Sequence, residues 1–241
     1  MRVRHPTWSS PARGLAARLD TLVTDLPLTS EQDERESRRI LVENWHRLET
    51  LAAALESAPP GPVLDIGFGY GYSAAAIRAA LPQAPLVVID RPRPVVRSSE
   101  WRHLIAYLGA MPVLADAMAL PFSRDRFAAV VAGELIEHLS PERMPTFLAG
   151  AAELLMPGAV LVITTPNLLA LRNRILLAAG RSPFDRPLPE ERFGNTFGHL
   201  REYSAEEVED LLRSAGLDGV TCVTVARSLS EKSVLDRTLV R

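Results

Sequence analysis

The chain has 241 residues, of which 47% are hydrophobic and 23% charged, a size and composition that suit one α/β domain with an N-terminal extension. Its formal net charge of −2 gives no electrostatic reason to expect a nucleic-acid partner, and no stretch reaches the roughly 18 apolar residues of a membrane span. The single cysteine, Cys222, excludes an intrachain disulfide and a multi-cysteine zinc cluster, and it favours a reducing, cytoplasmic location.

Residues 1–57 are predicted to form an N-terminal arm followed by a cap helix. Prolines and a glycine interrupt residues 1–29, which are typical of an irregular arm with room for one short helix. Ser30 is the predicted N-cap of a helix, because apolar residues recur at helical spacing from Glu31 to Glu56. Pro59-Pro60-Gly61 ends that helix and leads into the first strand.

Residues 58–241 alternate between strand and helix patterns. The predicted strands are Val63–Ile66, Leu86–Ile89, Pro112–Ala115, Ala128–Ala132, Ala159–Thr164, Val220–Ala226 and Val234–Val240. The predicted helices are Ser73–Leu81, Val95–Leu108, Glu142–Leu155 and Ala205–Ala215. This alternation predicts a parallel sheet with helices on both faces.

The first predicted strand leads into glycines at alternate positions, Gly67, Gly69 and Gly71. Glycines allow the backbone to turn sharply, and they let a ligand approach where a Cβ atom would clash. A dinucleotide fingerprint needs its third glycine at position 72, where this chain has Tyr72. Asp65 lies two residues before the first glycine, so the run has Asp-x-Gly-x-Gly-x-Gly spacing.

Acidic residues follow the next three predicted strands. In an open parallel sheet, ligands bind beyond the carboxyl ends of the strands. Asp90 follows the second strand and can accept hydrogen bonds from vicinal ribose hydroxyls, including those of NAD. Asp116 opens the run Asp116–Phe122 after the third strand, and Glu134 belongs to the run Gly133–Leu139 after the fourth.

Together these segments resemble class I S-adenosylmethionine (SAM) dependent methyltransferases over residues 60–220. The resemblance rests on the glycine loop, the runs Asp116–Phe122 and Gly133–Leu139, and a Met156-Pro157-Gly158 turn before the fifth strand. It implies a Rossmann-like, doubly wound, seven-stranded, mostly parallel sheet that binds SAM. Residues 58–241 would then be the SAM-binding domain.

The resemblance also assigns residues to the cofactor. In that family the glycine loop surrounds the methionine part, the acid after strand three accepts from the adenine amino group, and the neighbouring backbone contacts the ring. Asp65 either supports the glycine loop by accepting backbone N–H bonds or contacts the cofactor's amino group through water, and both alternatives stay open. The residues expected at the cofactor are Asp65, Gly67, Gly69, Gly71, Asp90, Asp116, Ala117 and Glu134.

Two histidines are candidate general bases for transfer to a hydroxyl, because the unperturbed pKa of histidine is roughly 6.5. His138 lies just past the fourth strand, where the alternative is that it packs under the cofactor. His199 lies in the run Gly198–Ser204. With Thr165-Pro166-Asn167, that run resembles ubiquinone-type and sugar-associated methyltransferases, in which it closes over the acceptor. The alternative is that His199 only fixes the loop. No ligand spacing is convincing for a metal, so none is predicted.

Residues 166–203 are longer than a minimal connection and are predicted to be an inserted lid over the acceptor. The apolar and basic stretch 168–181 would supply its wall. Two alternatives are an extra packing helix and a weak peripheral membrane contact through 168–181.

The expected function is therefore methyl transfer from SAM to a hydroxyl of a sugar, a phenol or quinone, or a secondary metabolite. The abundant arginine and single lysine, Lys232, fit a bacterial source with GC-rich DNA. One alternative is an NAD-dependent oxidoreductase on a Rossmann sheet, and another is a non-catalytic methyltransferase-like partner subunit. The expected partner is a small molecule and not nucleic acid, without stable membrane insertion, and a homodimer stays open.

Overall fold

A computed structural model describes residues 14–26, 44–92, 96, 98–184, 198–226 and 236–240. The strands are β1 (Val63–Ile66), β2 (Leu86–Asp90), β3 (Ala110–Leu114), β4 (Phe127–Gly133), β5 (Leu155–Pro166), β6 (Cys222–Ala226) and β7 (Asp236–Val240). The helices are α1 (Leu15–Thr24), α2 (44–55), α3 (Tyr72–Ala80), α4 (Ser99–Tyr107), α5 (Met144–Glu153), α6 (Leu171–Ala178) and α7 (Ala205–Ser214). Two 3-10 turns, Ile136–His138 and Pro141–Arg143, lie between β4 and α5.

The strands form one sheet in the order β3-β2-β1-β4-β5-β7-β6. The five strands β1 to β5 run parallel, whereas β7 is antiparallel to both β5 and β6. The chain moves outward from β1 through β2 and β3 and then returns to the other side of β1 with β4. Ligands bind at such a reversal of strand order, so the fold places a site beyond the carboxyl ends of β1 and β4.

Two apolar cores lie on opposite faces of this sheet. Successive side chains of a strand point to opposite faces, and in β1 Val63 joins one core while Leu64 and Ile66 join the other. Helices α1 to α4 cover the first face, and α5 and α7 cover the second. The predicted α/β class and the Rossmann-like arrangement with helices on both faces are confirmed.

Helix α1 lies within the stretch for which the sequence predicts an irregular arm with one short helix. Leu15 and Leu19 are fully buried in the core of the first face. The guanidinium of Arg18 donates a hydrogen bond to the carbonyl of Ala79 at 2.9 Å, which ties α1 to the end of α3. These residues are therefore part of the domain core. The arm residues 1–13 lie outside the described residues.

Several element boundaries differ from the prediction. Strand β3 begins at Ala110, two residues earlier than expected, and it tolerates Pro112 because β3 is an edge strand of the sheet. The predicted helix Glu142–Leu155 starts instead as the 3-10 turn and continues as α5, and Leu155 opens β5. Pro145 in the first turn of α5 lacks an N–H group that would have no intrahelical partner there.

Two helices next to the site begin at serine caps. The Ser98 hydroxyl accepts from the N–H of Trp101 at 3.1 Å, so α4 begins later than the predicted Val95, which lies outside the described residues. Ser204 and Glu207 form a reciprocal capping box at α7. The predicted cap Ser30, the helix start 31–43, residues 185–197 and Val234 also fall outside the described ranges. No described helix is long and apolar enough to cross a membrane.

Candidate active site

The turn between β1 and α3 requires glycine at two of its three glycine positions. Gly67, Gly69 and Gly71 have φ angles of 84°, 52° and 77°, which side-chain-bearing residues rarely adopt. A Cβ atom on Gly67 would lie 3.1 Å from Leu135, and one on Gly71 would lie 3.0 Å from Leu104. One on Gly69 would meet only the Gly67 carbonyl, at 3.7 Å. Gly69 is therefore the position with room around it.

Asp90 ends β2 and holds this glycine loop. Its Oδ2 accepts a hydrogen bond from the Gly69 N–H at 3.0 Å, and its Oδ1 accepts from the Arg91 N–H at 2.8 Å. The carbonyl of Ile89 accepts from the N–H groups of Gly67 and Phe68, both at 2.9 Å. The predicted neighbourhood of the glycine loop and Asp90 is thus present in the fold.

Asp65 is a fully buried carboxylate in the central strand β1. Neither of its oxygens has a hydrogen-bond partner among the described residues. Burial, followed by the charge of Asp90, raises the pKa of Asp65 from its usual 3.8 to about 7. The alternative that Asp65 accepts the N–H bonds of the glycine loop is wrong for this structure, because Ile89 and Asp90 accept them. An unsatisfied buried carboxylate fits a ligand that donates N–H or water hydrogen bonds to it.

Asp116 and Ala117 lie in the loop after β3, at the same edge of the sheet. The Ala115 N–H donates to the Asp90 carbonyl at 3.1 Å, which joins this loop to the end of β2. The Asp116 side chain accepts from the Met118 N–H at 2.9 Å in a local turn, and the residue is exposed. Ala117 packs into the second core. The carboxylate therefore stabilises its loop and also faces solvent.

Glu134 follows β4 and has a φ angle of 53°, which is uncommon for a residue with a side chain. Its N–H donates to both the carbonyl and the hydroxyl of Thr164, at 2.8 Å and 3.1 Å. Its Oε1 lies 4.0 Å from Nε of Arg47, a buried residue of α2. Strained backbone of this kind is frequent at functional sites, where surrounding contacts hold it in place.

Arg47 is a residue that the sequence analysis did not select. It also donates a hydrogen bond to the Thr164 hydroxyl at 3.2 Å, and it is only 6% exposed. The signal was a cation among the apolar residues of the cap helix, next to Leu48. Buried arginine is rare unless paired, so this cation belongs with Glu134 in the site.

His138 and His199 come from distant segments and meet at this edge. Their ring centroids lie 5.2 Å apart in an edge-to-face arrangement. Burial lowers the pKa of His138, although its hydrogen bond to the Gly198 carbonyl partly opposes that change. The hydrogen bond to Glu202 raises the pKa of His199. The pair thus places one imidazole that favours its neutral form beside one that holds its proton more tightly.

A hydrogen-bond network fixes the segment that carries His199. The carbonyl of Glu137 accepts from the Leu200 N–H at 2.8 Å, and Oε2 of Glu137 accepts from the Thr165 hydroxyl at 3.0 Å. On the other side, the Asn173 amide of α6 donates to Oε2 of Glu202 at 3.1 Å. Thr165, Asn173 and Glu202 were not named from the sequence, because their partners are far away along the chain.

Comparison with known families decides what this arrangement belongs to. The family described as a methyltransferase domain matches residues 34–222, which is most of the chain. The chain belongs to this methyltransferase family. It is a SAM-dependent methyltransferase, and the predicted recognition, enzyme class and cofactor are confirmed. The alternative of an NAD-dependent oxidoreductase is set aside by the same match.

Individual relatives of this methyltransferase are distant. A malonyl-[acyl-carrier protein] O-methyltransferase of Xylella fastidiosa (strain M23) is 26% identical over 137 residues, which cover 54% of this chain and 44% of the relative. The chain thus matches less than half the length of that curated relative.

Two solved structures show the same fold. A SAM-dependent methyltransferase of Thermotoga maritima is 20% identical, with a TM-score of 0.57 over 86% of this chain and 93% of its own. The 1,6-didemethyltoxoflavin-N1-methyltransferase of Burkholderia thailandensis, solved with S-adenosylhomocysteine, is 19% identical, with a TM-score of 0.56 over 99% of this chain and 91% of its own.

Proposed function

We propose that this methyltransferase transfers the methyl group of SAM to a hydroxyl of a small molecule. The observation that carries the proposal is the meeting of His138 and His199 beyond the carboxyl ends of β4 and β5. Transfer to a hydroxyl requires a group that assists removal of its proton, and an imidazole is suited to that task at neutral pH.

The cofactor would lie along the edge formed by the glycine loop and Asp90. Gly67, Gly69 and Gly71 let the backbone approach the methionine part, and Asp90 would accept from the ribose hydroxyls while it holds the loop. The unsatisfied Asp65 supports the second sequence alternative, in which it meets the amino group of the cofactor through water. Asp116 and the backbone at Ala117 would contact the adenine, and Glu134 would face the methionine end.

When bound, the cofactor supplies a sulfonium whose methyl group is open to in-line displacement. The residues of this chain then bind, orient and exclude water, because proximity and orientation provide much of the rate for such a transfer. The hydrogen bond from Nδ1 of His138 to the Gly198 carbonyl leaves the ring lone pair on Nε2. Nε2 is the atom that would accept the hydroxyl proton, directly or through another group.

The acceptor class is proposed more coarsely than the reaction. The similarity to an O-methyltransferase of an acyl-carrier protein substrate supports an oxygen acceptor. The similarity in fold to a toxoflavin N-methyltransferase favours a second candidate, methylation of a ring nitrogen. Sugars, phenols or quinones, and secondary metabolites remain the proposed acceptors, and the slightly acidic chain supports a small molecule over nucleic acid.

We also propose that residues 166–203 form a lid over the acceptor. The described part begins at the end of β5, beyond which the acceptor would bind, and includes α6. Leu169, Leu171, Ile175 and Leu177 are all exposed and together offer an apolar surface. Residues 198–203 then return to the site through His199 and Tyr203.

The test is a methyltransferase assay with SAM and panels of phenols, sugars and heterocyclic amines, read as S-adenosylhomocysteine formed. Asp90→Ala should weaken SAM binding by about tenfold to hundredfold, because hydrogen bonds to a charged group are lost. Asp210→Ala, which changes an exposed aspartate of α7, is the matched control and should bind SAM normally. Unchanged affinity in Asp90→Ala contradicts the cofactor site, and turnover of amines alone contradicts the hydroxyl acceptor.

A further inference from the structure

Glu137, His138 and His199 bring one carboxylate and two imidazoles together outside the cofactor edge. One potential ligand atom from each of the three lies within 4.8 Å of the other two. Glu137 and His138 come from the turn after β4, and His199 comes from the segment before α7. We propose that these three residues bind a divalent transition-metal ion.

The hydrogen bond of His138 fixes which ring nitrogen can bind a metal. Its Nδ1 lies 3.1 Å from the carbonyl of Gly198, and a carbonyl oxygen only accepts hydrogen bonds. The proton is therefore on Nδ1, and the lone pair is on Nε2. Metal-bound histidines in proteins almost always make such a bond with their second nitrogen, because it sets the tautomer and the ring orientation.

His199 has the same arrangement with a carboxylate as its partner. Its Nδ1 lies 3.0 Å from Oε1 of Glu202, so this nitrogen also carries the proton and Nε2 carries the lone pair. Glu202 is 8% exposed, and Asn173 donates to its other oxygen at 3.1 Å. A carboxylate behind a histidine raises the basicity of the ring as a metal ligand. Glu202 and Asn173 are thus positioning residues for the ion.

Glu137 supplies the anionic ligand. It is fully buried, and the Thr165 hydroxyl donates to its Oε2 at 3.0 Å, which orients the carboxylate. Its own carbonyl accepts from the Leu200 N–H at 2.8 Å, so the backbone that carries His199 is attached to the backbone that carries Glu137. A buried charge is stable only with an opposite charge or a metal nearby, and a divalent ion supplies that charge.

The ligand set defines the class of ion. Two imidazole nitrogens and one carboxylate oxygen suit Zn²⁺, Co²⁺, Mn²⁺ or Fe²⁺, whereas Mg²⁺ and Ca²⁺ prefer sites built from oxygen. Three protein ligands leave at least one coordination position for water or for a substrate oxygen. The sequence analysis predicted no metal because Glu137 and His138 are adjacent and His199 is distant, so no ligand spacing is visible.

The position of the ion gives it a role in the reaction, a role that rests on the proposed function. His138 interacts electrostatically with Glu134 and Arg91, the residues next to the end of β4 and to Asp90. A metal-bound hydroxyl of the acceptor would lose its proton to solvent more readily. Its oxygen then forms a bond to the methyl carbon, and the breaking carbon–sulfur bond returns its electron pair to the sulfonium, which becomes a neutral thioether.

The experiment is a titration of the untagged, metal-free full chain with Co²⁺, in the absence of SAM and acceptor. Calorimetry gives the stoichiometry and affinity, and the visible absorption of Co²⁺ reports the ligands. His138→Ala and His199→Ala are the test variants, with circular dichroism to verify folding. His46→Ala is the matched control, because His46 also pairs with a glutamate three residues later, Glu49, at 3.2 Å, without a second histidine beside it.

We expect one Co²⁺ per chain, binding at least about tenfold weaker in each test variant and unchanged in His46→Ala. Wild-type protein that takes up no Co²⁺, or folded His199→Ala that binds it as tightly, overturns the site. Full methyl transfer by the metal-free chain overturns the role of the ion in the reaction and leaves the proposed function intact. Co²⁺ binding without transfer to any hydroxyl acceptor supports the site and contradicts the proposed function.

Discussion

At the scale of single residues, Asp65 has the most unusual environment in the described part of the chain. It lies in the central strand, fully buried, while Asp90 lies close enough for its charge to raise the pKa of Asp65 further. A carboxylate of this kind costs stability when it is ionised without a partner. Such a cost is tolerated where a ligand later supplies the partner, and this is consistent with its place beneath the glycine loop.

The raised pKa of Asp65, about 7 against the usual 3.8, predicts how stability depends on pH. The native state holds this proton more tightly than the unfolded chain does. The contribution of the proton to stability is therefore complete below pH 3.8 and is lost as the pH rises towards 7. In urea unfolding, the free energy of unfolding of the wild type should fall relative to Asp65→Asn by about 2–3 kcal/mol between roughly pH 5 and pH 8.

The slope of that difference with pH is the quantity to compare, because the amide of Asp65→Asn adds its own constant cost. Asp210→Asn changes an exposed carboxylate and should give a difference from the wild type that does not vary with pH. A difference between wild type and Asp65→Asn that stays constant with pH would show that Asp65 is ionised in the folded protein.

At the scale of elements, α6 connects the proposed lid to the site. Asn173 is the buried side of this helix, and its amide donates to the carbonyls of Asn167 and Leu168, both at 3.2 Å, as well as to Glu202. The opposite side carries exposed leucines and Ile175. One buried polar anchor and an apolar outer surface make a helix that can shift without disrupting the core.

The lid predicts a change in backbone protection when the site is filled. We expect amide hydrogen exchange over 168–181 to be fast in the free protein and slower with S-adenosylhomocysteine and acceptor together, because closure orders the segment. Helix α5, which packs in the second core, is the internal control and should exchange equally in both states.

A variant connects this measurement to the anchor. Asn173→Ala removes the bonds to the loop after β5 and to Glu202, so the same segment should exchange faster in the free protein and gain less protection from ligands. Equal exchange over 168–181 with and without ligands would make α6 a fixed packing helix.

At the scale of the whole molecule, the N-terminal helix α1 belongs to the catalytic domain. It packs against α3, the helix that starts directly after the glycine loop. Leu19→Ala should therefore lower the free energy of unfolding by about 2–5 kcal/mol, because it leaves a cavity in a fully buried position. The SAM affinity of the folded variant should stay at the wild-type value, since α1 contributes none of the residues proposed to hold the cofactor.

The neighbouring substitution Asp20→Ala is the control for Leu19→Ala. Asp20 lies on the exposed side of α1 and should change stability by less than about 0.5 kcal/mol. Thermal unfolding and SAM titration of the two variants test the point together. A Leu19→Ala variant as stable as Asp20→Ala would show that α1 is a detachable arm.

Much of the cofactor side could be predicted because its information is local in the sequence. The glycine loop, Asp90 and the turn at Asp116 are short runs at strand ends, and parallel strands bring their carboxyl ends to one edge. The strand positions follow from runs of apolar residues, whereas their ends depend on neighbours: β3 starts earlier because Gly109 ends α4 with a φ angle of 57°. Arg47 could not be placed, because a buried cation has no recognisable pattern without its partners.

The sequence by itself determined the fold class, the methyltransferase family and SAM as cofactor. These follow from hydrophobic periodicity and from motifs a few residues long, which act through backbone geometry that any similar chain shares. The tertiary structure alone decided that Asp65 is unsatisfied and that Glu137, His138 and His199 meet. Burial and the approach of distant segments depend on how helices pack around the sheet, and no spacing along the chain encodes them.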